Sequence, residues 1–435
     1  MSMQQSIQFF IILFSIFLIA NCNHFEKSEN EKPRVIATTD GEIDDRSSFI
    51  RFLLYTNDFD VEGIIATNSI WQKHGHGTNW ILEEIDAYGK VHDNLLKHDP
   101  GYPGVEYLKS VVKPGNEDVN KLHKVGADCD TEGSDHIISI LLKDDPRPVW
   151  TLAWGGTNTI AQALWRLKES YSKEDFEKAV DKIRIYAIAE QDSTIQWIKN
   201  NVPEAMLILD YQFMVINYQH EGHPYSDHEI FSENWLTRNI KINHGALGEM
   251  YPQTYQSEGD SPSFFHLINN GLRSLENPAY GGWGGRHVNV SNNFWRDAGD
   301  DGDDKKAMWR WLIAISNDFL ARMNWCVKSF KEANHPPQAV VDGKLDRDVK
   351  PGEKVNLSAE GSTDPDSDNL SFKWWQYSDA DDVETAISIS NPTSKSNASF
   401  AVPDEIGKKI HIILEVTDDG TPNLKHYQRM IFTIH

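Results

Sequence analysis

Short apolar runs alternate with helical periodicity along the first two-thirds of the chain. Residues 34–38 (Arg-Val-Ile-Ala-Thr) read as a buried strand, and residues 44–57 place Phe49, Phe52, Leu53 and Thr56 at helical spacing. The alternation continues with a strand over 61–67, a helix over 78–96, a strand over 149–153, a helix over 157–170, and strands over 183–189 and 206–209. Strands that are apolar throughout, separated by helices, predict an α/β fold with a mostly parallel sheet flanked by helices on both faces. A Trp-rich stretch over 303–332, with Met308, Trp309, Trp311, Leu312, Ile315, Phe319 and Met323 at helical spacing, predicts a long helix packed on that sheet. The pattern breaks at Asn334-His-Pro-Pro337, which its prolines mark as a linker. Beyond it, β-rich segments at 354–359, 370–377, 398–402, 410–416 and 428–434 predict a small all-β sandwich. The expected domains are therefore 33–333 and 334–435.

A net charge of −23 opposes association with polyanions, which depends on clustered Lys and Arg, so a nucleic acid polymer is excluded as a partner. The apolar run 9–20 (FFIILFSIFLIA) is too short to span a bilayer and sits where an export signal belongs. Ile19-Ala20-Asn21-Cys22 resembles a bacterial lipoprotein cleavage box, which implies a signal over 1–22, lipidation of Cys22 and a polar spacer over 23–32. The expected location is the periplasm or cell surface as a lipoprotein, or otherwise the medium as a plain secreted protein. No later run approaches the ~20 apolar residues of a membrane span, so membrane contact is expected only through an N-terminal lipid anchor. Besides Cys22 there are only Cys129 and Cys326, which excludes a disulfide framework and a thiolate metal site.

In a parallel sheet, ligands gather outside the carboxyl ends of the strands. Directly after the first strand, Asp40-Gly41-Glu42-Ile43-Asp44-Asp45 packs three aspartates into six residues as a helix begins. Crowded carboxylates repel unless a cation lies among them, and calcium takes six to eight oxygen ligands. The alternative is a solvated acidic turn with Asp44 or Asp45 capping the helix. Trp71-Gln-Lys-His-Gly-His76 follows the second strand and offers His74 or His76 as a proton donor, or else is an exposed glycine-flanked loop. Gln191 and Asp192 are candidates to bind hydroxyls, or Asp192 caps the next helix. Gly281-Gly-Trp-Gly-Gly-Arg286 reads as a lid presenting Trp283 and Arg286, or as a tight turn. Asp300-Asp-Gly-Asp-Asp304 reads as a solvated loop.

The acidic loop resembles the N-terminal metal motif of nucleoside hydrolases, Asp-x-Asp-Pro-Gly-x-Asp-Asp, with Asp40, Asp44 and Asp45 on the three later aspartates and Thr38 in place of the first. Trp150-Thr-Leu-Ala-Trp-Gly-Gly-Thr-Asn-Thr-Ile-Ala161 is similar to that family's strand, glycine pair and Thr-Asn helix start. Glu258-Gly-Asp-Ser-Pro-Ser263 is similar to the segment carrying its last aspartate ligand. Over essentially the whole mature chain the sequence resembles a narrower group of exported bacterial proteins, often called cellulose-binding proteins. These join a nucleoside-hydrolase-like domain to an immunoglobulin-like one. The resemblance implies a Ca2+ site made by Asp40, Asp45, Asp260 and the Trp154 carbonyl, with Asp44 holding a water or sugar hydroxyl. It implies substrate contacts from Asn158 and Glu258, beside those expected of Gln191, Asp192, Trp283 and Arg286. The implied activity is hydrolysis of a glycosyl bond, of the N-glycosyl type, in a small glycoside or nucleoside, with Asp40 taking a proton from a calcium-bound water. The second expectation is a non-catalytic envelope protein that binds carbohydrate, including polysaccharide, through an inherited calcium site. The sandwich is expected to be a spacer whose removal spares catalysis.

Overall fold

The computed structural model describes residues 31–435 except Gln219 and Glu221. The expected export signal and Cys22 lie outside the described residues. An eight-stranded sheet forms the first domain: β1 (Arg34–Thr39), β2 (Asp60–Ala66), β3 (Val112–Pro114), β4 (Val149–Ala153), β5 (Ile183–Ile188), β6 (Met206–Asp210), β7 (His287–Ser291) and β8 (Phe294–Asp297). Their order is β3-β2-β1-β4-β5-β6-β8-β7, parallel throughout except for the β7–β8 hairpin. The order reverses direction between β1 and β4, the switch point at which loops diverge to opposite faces and leave a crevice.

Burial on both faces explains why β1, β2 and β4 are apolar along their length. Val35 and Ala37 face a core built with helix Ile43–Leu54 and helix Leu312–Trp325. Ile36 points the other way, into a core with helices Glu132–Leu141, Asn158–Ser170 and Thr194–Asn201. Thr38 pairs with Ala153 and Thr39 with Ala66, so β1, β2 and β4 end level and their exit loops stand side by side. The expected helix over 303–332 is two pieces, Lys306–Trp309 and Leu312–Trp325. Strands β3, β7 and β8 were not expected; they are short, and β7 is largely exposed, so neither length nor apolar pattern announces them. Cys129 and Cys326 are buried and unpaired. Among the described residues no helix is long and apolar enough to cross a membrane.

The second domain contains β9 (Asp346–Val349), β10 (Lys354–Leu357), β11 (Ser371–Gln376), β12 (Ala398–Ala401), β13 (Lys409–Thr417) and β14 (Lys425–Ile434). Sheet β11-β13-β14-β9 and the pair β10-β12 enclose Leu357, Trp374, Phe400, Leu414 and Phe432. Its outer face is built into the first domain: Tyr377, Ile413 and Tyr427 belong to the core under helix Leu312–Trp325. The Tyr427 and Arg429 amides donate to the carbonyls of Asn270 and Gly271, and the buried Arg429 guanidinium donates to Leu272, Tyr280 and Gly281 carbonyls. The spacer expectation therefore fails, because deleting the sandwich exposes apolar core and strands these carbonyls.

Gly271 makes this junction possible. Its φ is +86°, and a Cβ there would lie 1.8 Å from the Tyr427 carbonyl oxygen. Gly271→Ala is expected to destabilise the protein by roughly 2–4 kcal/mol, read as a lower denaturation midpoint. Deleting residues 336–435 is expected to leave an aggregation-prone chain. A soluble truncation with an unchanged melting temperature would contradict this docking.

Candidate metal centre

The chain leaves β1 at Asp40 and turns at Gly41 (φ +79°), whose Cα lies so close to the His76 side chain and the Trp80 indole that an added Cβ would sit 2.9 Å from each. Helix Ile43–Leu54 then begins, with Asp44 and Asp45 in its first turn, where unpaired backbone N–H groups favour negative charge. Across the switch point, the missing side chain of Gly155 admits Asp40, since a Cβ would be 2.8 Å from the Asp40 Cβ. A third loop brings Asp260 against the same helix, and its amide donates to Ser48 Oγ at 3.3 Å. Oxygens of Asp44, Asp45 and Asp260 lie within 4.8 Å of one another.

Burial decides between the two expectations for this loop. Asp40, Asp44, Asp45 and Asp260 are 1, 8, 2 and 3% exposed, which rules out a solvated turn. Thr39 Oγ1 donates to Asp45 Oδ1, and the Glu42 amide donates to Asp40 Oδ1 at 3.2 Å. Asp40 Oδ2 and Asp260 Oδ2 are buried with no hydrogen-bond partner. Burial, and then neighbouring Glu42, raises the Asp40 carboxyl to about 6 and that of Asp44 to about 7. Asp45 and Asp260 are pushed well above the ordinary carboxylate range, first by burial and then by neighbouring charge, that of Asp260 on Asp45 and that of Asp44 on Asp260. Four desolvated carboxyls cannot all be charged unless a cation joins them. A hard divalent ion fits this donor set: it needs oxygen ligands, and two bare oxygens are provided.

Trp154 serves the centre in two ways. Its carbonyl accepts from Gln191 Nε2 at 2.6 Å, which fixes its orientation and leaves one lone pair. Its indole is packed among Phe49, Phe52 and Phe264 and donates to Ser263 Oγ, which donates to the Asp260 carbonyl. One side chain thus ties the β4 loop to the Asp260 loop.

Several expected substrate contacts are occupied elsewhere. Glu258 is fully buried in an ion pair with Arg51 and accepts from Tyr251 and Ser261 hydroxyls, so it braces the Asp260 loop from below. Asn158 and Asp192 bond to each other and to Thr67, Asn68, Thr157 and Thr194, which knits the exits of β2, β4 and β5 together. Gln191 is used by the Trp154 carbonyl. Trp283 is no lid: it is 3% exposed, in the core beside Tyr427. Arg286 is held inside by Asp300 at 2.8 Å. Asp300, expected in solvent, is fully buried and also accepts from Arg310 and from Tyr377 of the sandwich. His76 stands at the rim against Gly41 and contacts Gln72 at 3.1 Å, and both His74 and His76 are exposed.

Other rim residues were not foreseen. Ser69, after β2, helps hold down the pKa of Asp40. Tyr218 is half exposed, and its hydroxyl faces the charges of Asp44 and Glu42. Trp71 is 66% exposed on a loop pinned by Ser69, next to Gln72, whose amide donates to Glu42. The loop after β2 is singled out by its position in the sequence, but for its histidines, and the same position marks Ser69 and Trp71.

Residues 34–287 match the family described as cellulose-binding Sde182, nucleoside hydrolase-like domain, and residues 354–434 match the cellulose-binding protein Sde0182 C-terminal domain. The chain belongs to the Sde182 family. A solved relative is a nucleoside hydrolase-related hypothetical protein from Saccharophagus degradans, described as associated with carbohydrate metabolism. It is 35% identical with a TM-score of 0.81, over 93% of this chain and 100% of that one. The effector protein XOO4466 is 9% identical over 68% of this chain and 95% of its own, with a TM-score of 0.34, too slight a likeness to inform the site. Among curated proteins nothing matches. The nucleoside-hydrolase-like sheet and the sandwich expected from the sequence are thus those of the Sde182 family.

The buried carboxyls give a pH dependence of definite sign. In the metal-free folded chain Asp40 and Asp44 keep protons up to about pH 6 and 7, whereas the unfolded chain releases them near 4. The folded state binds more protons across that window, so its stability falls as pH rises through it. A bound divalent ion would take the place of those protons. The melting temperature gained on adding such an ion is expected to grow from pH 5 to pH 8; a gain that is constant or shrinks would contradict the assignment.

Proposed function

We propose that this Sde182-family protein is an exported, calcium-dependent hydrolase of glycosyl bonds in carbohydrate. The observation that carries this is Asp40 Oδ2: it is buried, without a partner, and belongs to a carboxyl whose charge is felt by the clustered Asp44, Asp45 and Asp260. Calcium is favoured over softer ions because every donor is oxygen, with Asp40, Asp45, Asp260 and the Trp154 carbonyl as its ligands. A bound calcium ion would fix sugar hydroxyls and make an adjacent water more acidic. Asp40 would then accept the proton of the attacking water at Oδ2. Asp44, at the mouth of the centre, receives a sugar hydroxyl. His76, at the rim against Gly41, would donate a proton to the leaving group. The apolar segment ending at Cys22 supports export and tethering of the protein where polysaccharide is met.

A second reading, carbohydrate binding without turnover, has its own support. The family description is cellulose-binding, and Asn158, Asp192 and Glu258 are spent on internal bonds. Trp71 supports a carbohydrate ligand under both readings. A large aromatic face left in water on the loop whose Gln72 reaches Glu42 suits a sugar ring, whose C–H face would lie on the π-cloud.

Hydrolysis of nucleosides, small glycosides and cello-oligosaccharides by the mature chain, with calcium and with chelator, separates the two. Asp40→Asn is expected to lower kcat by ~10²–10⁴-fold at saturating calcium, with the calcium affinity itself weakened by loss of a charged ligand. Trp71→Ala is expected to weaken saccharide binding by about 1–2 kcal/mol, some 5–30-fold, with the calcium affinity unchanged. Calcium-dependent sugar binding with no turnover of any substrate would move the conclusion to the second reading. No binding and no turnover would sink both.

A further inference from the structure

Farther along the same rim, away from the switch point, β6, β8 and β7 bring three ligating side chains into one row. Register sets His287 opposite Asp297 and Leu209 opposite Arg296, so Asp210 comes next to Asp297. His287 Nε2 lies 3.4 Å from Asp210 Oδ1 and 3.6 Å from Asp297 Oδ1, and donor atoms of the three residues lie within 4.8 Å of one another. These contacts are long for N–H···O bonds, which close to about 2.9 Å, and the Tyr186 hydroxyl, which donates to the Gly284 carbonyl, also lies 3.4 Å from His287 Nε2. The two His287–carboxylate contacts match the edges, about 3.4 Å, of a tetrahedron whose donors sit ~2.0–2.2 Å from a central ion.

The surroundings suit ligands held for an ion. Asp210 and His287 are fully buried, and Asp297 Oδ1 is buried without a hydrogen-bond partner. Backbone amides orient both carboxylates: Gln212 and Phe213 donate to Asp210, and Tyr211 donates to Asp297 Oδ2 at 2.8 Å. Asp210 also hydrogen-bonds Asp297 and the Tyr186 hydroxyl. Asp297 is one-fifth exposed, which gives a path of entry.

We propose that Asp210, His287 and Asp297 form a second metal site, distinct from the acidic loop, that takes a divalent transition ion, zinc foremost. One imidazole and two carboxylates balance a double positive charge, and three protein ligands leave the fourth position to water or a substrate oxygen. Calcium is disfavoured because it seeks six to eight oxygens and gains little from imidazole.

The test uses the full mature chain, stripped with chelator and dialysed against zinc in excess calcium, with zinc measured by mass spectrometry. Wild type is expected to retain one equivalent of zinc, His287→Ala to lose it, and Asp45→Ala, which removes a ligand of the first centre, to keep it. A wild type that takes up no zinc, or a folded His287→Ala that keeps its full complement, overturns the proposal. Should His287→Ala fail to fold, Asp297→Asn at the partly exposed position decides: zinc affinity at least ~10-fold weaker supports the site, and unchanged affinity overturns it. Neither outcome depends on whether sugar is hydrolysed, so the carbohydrate reading stands or falls separately.

Discussion

Four carboxyl groups gathered out of water at the end of a parallel sheet repel one another, and most of what surrounds them exists to hold them there. The switch point supplies the place, because β1 and β4 end level while their chains depart to opposite faces. Helix Ile43–Leu54 supplies partial positive charge at its start. Glycine supplies the closeness: side chains at positions 41 and 155 would collide with His76 and with Asp40 itself. What remains unbalanced is charge, which a bound cation would balance.

Two buried links set the third loop. Trp154 reaches through Ser263 to the Asp260 carbonyl, and Arg51 pairs with Glu258 two residues earlier. Arg51 also lies over the rings of Phe265 and Phe319, so the pair is enclosed by aromatic carbon. Breaking such a pair from one side leaves a bare charge in the core, which makes Glu258 a structural residue of the centre although it touches no ligand. The sandwich extends this support. Tyr377 and Arg429 clasp Asp300 and the 281–286 segment, and that segment leads directly into β7, which opens with His287. The C-terminal domain is therefore part of the scaffold of the rim.

Much of this was legible in the sequence because it rests on local signals. Apolar runs of strand length, the acidic hexad after the first of them, and the Trp154-Gly-Gly turn all declare themselves by composition and position. What was missed depends on how hydrogen-bonding capacity is spent. Position after a strand places Asn158 and Asp192 at the rim, but only the folded chain reveals that their oxygens and amides are used by neighbouring loops. Glycines on both sides of Trp283 suggest a mobile lid; the sandwich that buries the indole comes from a distant part of the chain. Strands β7 and β8 carry polar, exposed residues, so periodicity gives no warning of the hairpin that unites His287 with Asp297.

The central claim is that the buried aspartates of the first centre are held together by an ion. A crystal of the mature chain grown with calcium tests it most directly. The expected result is an anomalous peak ringed by Asp40, Asp45, Asp260 and the Trp154 carbonyl, with ligand distances of about 2.3–2.6 Å. Carboxyls that keep their places with no ion among them, bridged only by protons or water at neutral pH, would contradict it.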